Sequence, residues 1–533
     1  MPSLPKFSVF LSAIALVLVI HGCATVDGPV PDAETSFPES MNEQDRFFAE
    51  HGVRDARFQG VKGYEYLKIN DNLRQRISQY NQQQGLVQKR EFIRQFLVDA
   101  GEINDQFITA SVDKIPPKKL TDFLAKPHKE MDFRQGGDTP QERFVNAYQL
   151  HAHDELDKEI QKVFTLANVK GLDAYWGRFV LHIDESIKTR DRMTRLLATA
   201  PAVPFVQAWI WYHALTDDRS AHVPIFPKSN LYRPQPLDKT SPPGGQEDWT
   251  LLNDFAPIVV QEIQDEPKYD KKADYFGEVF LQGQNPESAI PGVHSNKPTL
   301  YAYIRHTQIQ KIPVKQLVYT LWYPQHPQLK SFDPEAGPME GWTFRITLNR
   351  DHKPLIYESV SNCGCYYKVF PSERLENWSR QQYPSPLDGK KFHLEQEVSG
   401  IDAVVPELVA SPDGPPKRVV LYYSAGQHQL VSVRLENQLA SSQPAKKYVL
   451  KPYDLLEKLP FNNDHLSLFD EDGLVRQAHR PECTLLAPSG LYHAGHPRQR
   501  ETQMIYFDQA EFDDPTLLET YFRLPDGAFG RPF

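Results

Sequence analysis

The chain has 533 residues, 40% of them hydrophobic and 24% charged, with a formal net charge of -10. That composition is globular rather than disordered, and the length exceeds what one ordinary core organises, so two or three domains are expected. The acidic balance and the lack of any basic run argue against a nucleic-acid binder and give no support for a polybasic membrane-surface patch, while 44 prolines favour punctuated, loop-connected structure.

Taken in order, Lys6 precedes an apolar run from Phe7 to Ile20. The run is shorter than the ~20 residues a membrane-crossing helix needs and has the size of a signal-peptide core. It closes on Ile20-His21-Gly22-Cys23, which resembles the lipobox of bacterial lipoprotein precursors. The resemblance covers only this leader and departs from the pattern at His21, where a small residue is usual. It implies cleavage before Cys23, acylation of Cys23, and attachment to a membrane through that lipid. Ala24 in place of aspartate then resembles outer-membrane sorting, with the rest of the chain facing the periplasm. Residues 23–40 carry no hydrophobic periodicity and read as a flexible tether.

Residues 41–223 read as an α-helical domain. Thr139-Pro140-Gln141-Glu142 is a capping box with proline at the first helical position. Behind it Val145, Tyr148, Ala152, Leu156, Ile160 and Val163 recur at three- and four-residue steps, the mark of a buried helical stripe. Asn72–Tyr80 and Gln88–Ala100 are expected as partner helices. Residues 224–245 hold six prolines and Gly244-Gly245. They read as a linker in which no regular element survives.

Residues 246–533 read as a β-rich, mainly antiparallel domain, giving an α+β chain overall. Trp342, Phe344, Ile346 and Leu348 alternate with Thr343, Arg345 and Thr347, the pattern of a half-buried strand. A turn at Asn349–Lys353 leads into Leu355–Val360. Leu317–Tyr323 is a further strand, and Val419–Tyr423 pairs with Leu430–Leu435 around Gly426.

The chemistry-bearing candidates begin with Ser361-Asn362-Cys363-Gly364-Cys365, immediately after that hairpin. If the strand continues, both sulfurs face one side with α-carbons ~6.5–7 Å apart, at the limit for a disulfide between them. Four fates are open: a bridge from Cys363 or Cys365 to Cys483, a zinc or copper site, a redox-active thiol, or inert burial. A metal would need Cys483 and a histidine such as His493 or His496 to complete the set. Arg498 and Arg500, in the same late loop, are candidates for binding an anionic group.

His151 and His153 fall inside the capped helix, where residues two apart point in opposite directions, so a shared metal is not expected. His182-Ile183-Asp184-Glu185 reads as solvated helix surface. The Trp209, Trp211, Tyr212, His213, Asp217 and Asp218 cluster reads as core, with a pocket as the alternative. No Gly-x-Ser-x-Gly, Walker, Gly-x-Gly-x-x-Gly or His-Glu-x-x-His motif is present, which lowers the standing of the common hydrolases, NTPases and dinucleotide enzymes. The expected function is a lipid-anchored envelope protein with a binding or scaffolding role toward an envelope partner. The alternative is a metal- or thiol-dependent protein, an enzyme included.

Overall fold

A computed structural model describes residues 43–53, 58–126, 137–197, 226, 228–236, 246–264, 270–329, 333–396, 405–411, 418–439, 444–470, 473–481, 496–499 and 512–531, the side chains of 43, 184–197, 246–247 and 438 excepted. The chain is α+β. Its helices are α1 (Glu43–Glu50), α2 (Asp71–Arg76), α3 (Gly85–Val112), α4 (Pro117–Leu124), α5 (Pro140–Thr165), α6 (Val169–Leu197), α7 (Gln246–Phe255), α8 (Glu373–Gln382) and α9 (Leu517–Tyr521). Among the described residues no helix is long and apolar enough to cross a membrane.

The capping box forms as the sequence predicts: Thr139 Oγ1 accepts from the Glu142 amide at 3.2 Å, and Glu142 accepts from the Thr139 amide at 3.0 Å. Tyr148, Ala152, Leu156 and Val163 are buried along α5. They pack against α3 across Gly101, where a Cβ would fall 2.8 Å from Leu156 Cδ2, so the glycine sets the close approach of the two helices. The expected Asn72–Tyr80 helix is shorter, α2 passing into a 3-10 turn at Ile77, and α3 runs well past Ala100. A small hairpin, β1 (Gln59–Val61) with β2 (Tyr64–Ile69), packs on α3 and α5.

The principal sheet has ten strands in the order β11-β10-β9-β8-β7-β14-β3-β4-β12-β13. They are β3 (Ser229–Pro234), β4 (Ile258–Glu262), β7 (Thr299–Ile309), β8 (Ile312–His326), β9 (Gly337–Leu348), β10 (Pro354–Ser361), β11 (Lys368–Pro371), β12 (Val419–Tyr423), β13 (Leu430–Leu435) and β14 (Lys446–Pro452). Short hairpins β5 (Glu278–Gln282) with β6 (Ile290–His294), and β15 (Leu459–Phe461) with β16 (Asp464–Leu466), lie outside it. The β9–β10 and β12–β13 hairpins match the expected ones. The sheet is mixed: β14 runs parallel to β7 and β3, and β12 parallel to β4.

Two expectations are corrected. Residues 224–245 were expected to hold no regular element, yet β3 sits within them and pairs with β4 and β14. Its stretch Ser-Asn-Leu-Tyr-Arg is free of proline, which enters only at its last position, so the amides the ladder needs are present.

The second concerns β9, which is buried on both faces rather than one. Trp342, Phe344, Ile346 and Leu348 join a core to which all ten strands contribute, closed off by Trp249, Leu252 and Phe255 of α7. This is possible because the sheet rolls over until its edges approach; Lys368 Nζ on edge strand β11 donates to the Leu430 carbonyl on edge strand β13 at 3.0 Å. The opposite face, Thr343, Arg345 and Thr347, is covered as well. There Arg345 donates to both oxygens of Glu358 at 2.8 and 2.5 Å and to the Phe512 carbonyl at 2.7 Å. A polar alternation thus marks a second buried layer whose charges are paired.

The helices attach to this sheet through polar contacts. Arg305 on β7 bonds Asp71 of α2, Gln75 Nε2 donates to the Gln308 carbonyl at 2.8 Å, and Lys114, after α3, pairs with Glu457.

Candidate functional site

Strand β10 stops at Ser361, and the two cysteines that follow lie in a turn rather than in a continued strand. The turn is closed by Ser361 N donating to the Cys365 carbonyl at 3.0 Å and Gly364 N donating to the Ser361 carbonyl at 2.8 Å. Gly364 has φ 92° and Tyr366 φ 60°, conformations that reverse the backbone and that glycine adopts at low cost. The extended spacing expected for Cys363 and Cys365 is therefore corrected: the turn folds the thiols onto one another to 3.4 Å, and no disulfide joins them. Both residues are 2% exposed.

The turn is pinned from two sides. Asn362 N donates to the Gly341 carbonyl at 2.7 Å, and Asn362 Oδ1 accepts from Thr343 Oγ1 at 2.7 Å, which ties it to β9. From the other side the Arg498 amide donates to the Asn362 carbonyl at 3.0 Å. The late segment of the chain does come to the cysteine turn, at Arg498.

The electrostatics favour a thiolate at Cys363. Its thiol is brought down to about 7, chiefly because Cys365 hydrogen-bonds to it. Burial opposes this, Arg480 helps through its charge, Glu335 opposes, and Ser361 Oγ, 3.1 Å away, adds a further bond. Arg480 is buried, its guanidinium donating to the Met339 carbonyl at 2.9 Å and its stem running across Gly337.

A chain of buried acids and imidazoles runs from β8 through β9 to the turn between β12 and β13. His326 Nδ1 and Glu340 Oε1 are 2.9 Å apart, Glu340 Oε2 and His428 Nδ1 2.6 Å, and His428 Nε2 and Asp274 Oδ1 3.2 Å. With a carboxylate on each ring nitrogen, His428 is an imidazolium donating both ways. Burial alone would lower it, but the bonds to Asp274 and Glu340 outweigh that and carry it up to about 8. Burial would raise Glu340, but His326 and His428 hold it well below the usual carboxylate range. The Tyr323 ring stacks on His428 at 3.9 Å and 3°. Glu335 is the exception: burial lifts its carboxyl above the ordinary value against the opposing pull of His326, Tyr366 and Arg480.

The other predicted positions fall as follows. Cys23, Cys483, His493 and Arg500 lie outside the described residues, so a bridge to Cys483 has no geometry here. His496 is buried, donates Nε2–H to the Val475 carbonyl at 2.9 Å, and packs edge-on against His479 at 4.6 Å. Arg498 bridges Leu474 as a short β contact. Among the described residues no group of three His, Cys, Asp or Glu side chains is placed to hold a metal. His151 and His153 lie on α5 as expected, and His153 bonds Asp105 at 2.8 Å. His182 packs against the Tyr64 ring, and the Trp209–Asp218 cluster lies outside the described residues.

Sequence reasoning missed Asp274, His326, Glu335, Glu340, His428 and Arg480. One signal was available. Glu340 continues the inward alternation of Trp342, Phe344, Ile346 and Leu348, and an acid at an inward position demands a buried partner. Nothing local names the partner, since His428 lies 88 residues away. No protein-family model, no curated protein and no solved structure matches the chain, so what it can do rests on this geometry alone.

Proposed function

We propose that the chain is a lipid-anchored protein of the bacterial envelope whose working centre is a reversible dithiol–disulfide couple formed by Cys363 and Cys365. The anchor reading rests on the Ile20–Cys23 leader, which implies attachment through Cys23 at the periplasmic face of the outer membrane. The observation that carries the redox reading is the approach of two thiols to 3.4 Å, with Cys363 lowered below the ordinary thiol range by its Cys365 partner. The thiolate is the nucleophile in all such chemistry. Closure to a bond of ~2.05 Å needs a shift of little more than an ångström, within a turn already reversed at Gly364.

At 2% exposure the pair is open to small oxidants before it is open to a folded partner's disulfide. A hydroperoxide fits. The Cys363 thiolate attacks the outer peroxide oxygen, the O–O bond breaks, and the inner oxygen leaves as an alcohol or water once protonated, giving a sulfenic acid. The Cys365 thiol then attacks that sulfur, forming the disulfide and releasing water. Two equivalents of an external thiol restore the pair.

In this reading the β-rich part carries the redox centre, and the helical N-terminal part is a domain of its own. A second reading, binding or scaffolding toward an envelope partner, is favoured by Leu150 and Leu181, which stand 74% and 59% exposed on α5 and α6. The test is peptide mapping after one equivalent of hydrogen peroxide and alkylation. A Cys363–Cys365 cross-link, reversed by dithiothreitol, is the expected product. A Cys483 cross-link, or sulfinic acid at Cys363 with no bridge, refutes the redox reading. For the anchor, Cys23→Ser should release the protein from the membrane fraction.

A further inference from the structure

Ser361 ends β10 opposite Trp342 of β9, and both of its backbone groups are committed to the turn that follows. Its amide donates to the Cys365 carbonyl at 3.0 Å and its carbonyl accepts from the Gly364 amide at 2.8 Å. The main chain is thus clamped across the turn, and the side chain is buried beside Cys363. Its hydroxyl oxygen accepts from the Cys363 amide at 3.4 Å. The same oxygen lies 3.1 Å from Cys363 Sγ and 3.5 Å from the Gly341 carbonyl oxygen. A serine hydroxyl has one proton to donate, so it serves the sulfur or the carbonyl but not both.

The two acceptors are unequal, and their order depends on the state of the thiols. The Gly341 carbonyl already accepts from the Asn362 amide at 2.7 Å. A thiolate at Cys363 carries a full charge, and a hydrogen bond to an ionised acceptor is about twice as strong as one between neutral groups. In the dithiol state the Ser361 proton therefore goes to Cys363. Cys365 is a second donor onto that sulfur, while Arg480 and Glu335 act on it through charge. Once a bridge forms, the sulfur is neutral and only a weak acceptor. The Gly341 carbonyl is then the better partner, reached by turning the O–H about the Cβ–Oγ bond.

On the dithiol reading above, we infer that Ser361 is a redox-gated positioning residue. Its hydroxyl holds the Cys363 thiolate in the reduced pair, passes to the Gly341 carbonyl in the disulfide, and so biases the couple toward the reduced form. A contact made in one state and lost in the other shifts the equilibrium between them by its own free energy. The net contribution of one hydrogen bond corresponds to about fivefold in an equilibrium constant.

The experiment equilibrates the full chain with dithiothreitol buffers of graded reduced-to-oxidised ratio, then quenches with acid, alkylates and maps the Cys363 peptide. The balance is Cys363–Cys365 disulfide plus reduced dithiothreitol, giving both thiols and the cyclic disulfide of the reagent. The ionisation of Cys363 is followed separately, by the pH dependence of its alkylation with iodoacetamide. The chains compared are wild type, Ser361→Ala, Ser361→Thr and Ser359→Ala, the last removing a hydroxyl equally buried on the same strand.

Ser361→Ala should raise the alkylation midpoint by roughly 0.7 of a pH unit. It should favour the bridge by about fourfold one pH unit above the wild-type midpoint and leave it unchanged one unit below, where the protonated thiol has no charge to hold. Ser361→Thr keeps the hydroxyl and should stay with wild type, as should Ser359→Ala. A role in packing alone predicts the same shift of the redox equilibrium at both pH values. That result, a Ser361→Ala chain that matches wild type, or either control shifting as far as Ser361→Ala overturns the inference while the Cys363–Cys365 bridge still forms. Crystal structures of the reduced and oxidised wild type give a check that needs no variant. Ser361 Oγ should lie nearer Cys363 Sγ in the first and nearer the Gly341 oxygen in the second, and the same nearer partner in both refutes the gating. If wild type forms no bridge in any buffer, the dithiol reading itself has failed and the role of Ser361 falls with it.

Discussion

Replacing His428 by alanine removes a cation that two buried carboxylates share. His428 is fully buried, as is Asp274, and Glu340 is 3% exposed. The variant leaves Asp274 holding the Gln264 and Gly426 amides, each at 2.8 Å, and Glu340 holding His326. Removing one partner of a buried ion pair costs about 3–5 kcal/mol, because the charge left behind keeps its desolvation penalty. The loss of the stacked Tyr323 contact adds to it. For a domain of ~150–250 residues this lowers the melting temperature by roughly 6–20 °C.

The pH dependence supplies the finer assay. His428 is raised in the folded state to about 8 from an ordinary 6.5. Its contribution to stability is therefore complete below about pH 6.5 and lost as pH rises through 8. Differential scanning fluorimetry across pH 5.5–9 should show wild-type stability declining between those limits, beyond the decline His326 contributes, and His428→Ala should flatten that decline. A variant melting within a degree of wild type, with the same pH profile, would show that Asp274 and Glu340 are protonated rather than ion-paired.

Three further outcomes follow from the same kind of reasoning. Arg345→Ala strands the Glu358 carboxylate beneath the 512–529 segment, at a cost of about 3–5 kcal/mol in urea denaturation, whereas Arg345→Met with Glu358→Leu should lie near wild type or above it. Thr139→Ala removes the oxygen that accepts from the Glu142 amide and should cost about 1 kcal/mol by the same measurement. Gly341→Ala would place a Cβ 2.4 Å from Asn362 Nδ2 and 2.8 Å from Trp322 Cζ3. Asn362 must then move and the Cys363 turn with it, so peroxide-driven bridge formation should slow several-fold in stopped-flow assays.

The contrast between the α5 helix and the Cys363 turn shows where local information ends. Thr139, Pro140 and Glu142 act on amides within one turn of themselves, so the start of α5 and its buried stripe follow from neighbouring residues. The β9–β10 and β12–β13 hairpins are legible for the same reason: short turns join strands whose alternation is visible. The fate of the thiols was not legible, because an extended Cys-Gly-Cys and a reversed one differ only in backbone dihedrals at Gly364 and Tyr366. Those dihedrals are held by Gly341, Thr343 and Arg498, all distant in the chain.

Alone, then, the sequence determined the capped helix, the strand pairs and the presence of two cysteines one residue apart. The tertiary structure decided the rest. It rolled the sheet so that the polar face of β9 is buried, placed the parallel strand β14 between β7 and β3, and drew His428 from a distant hairpin onto Glu340. The physical reason is range. Capping and alternation act over a few residues, whereas the burial of a charge is settled only when a partner far along the chain arrives to neutralise it.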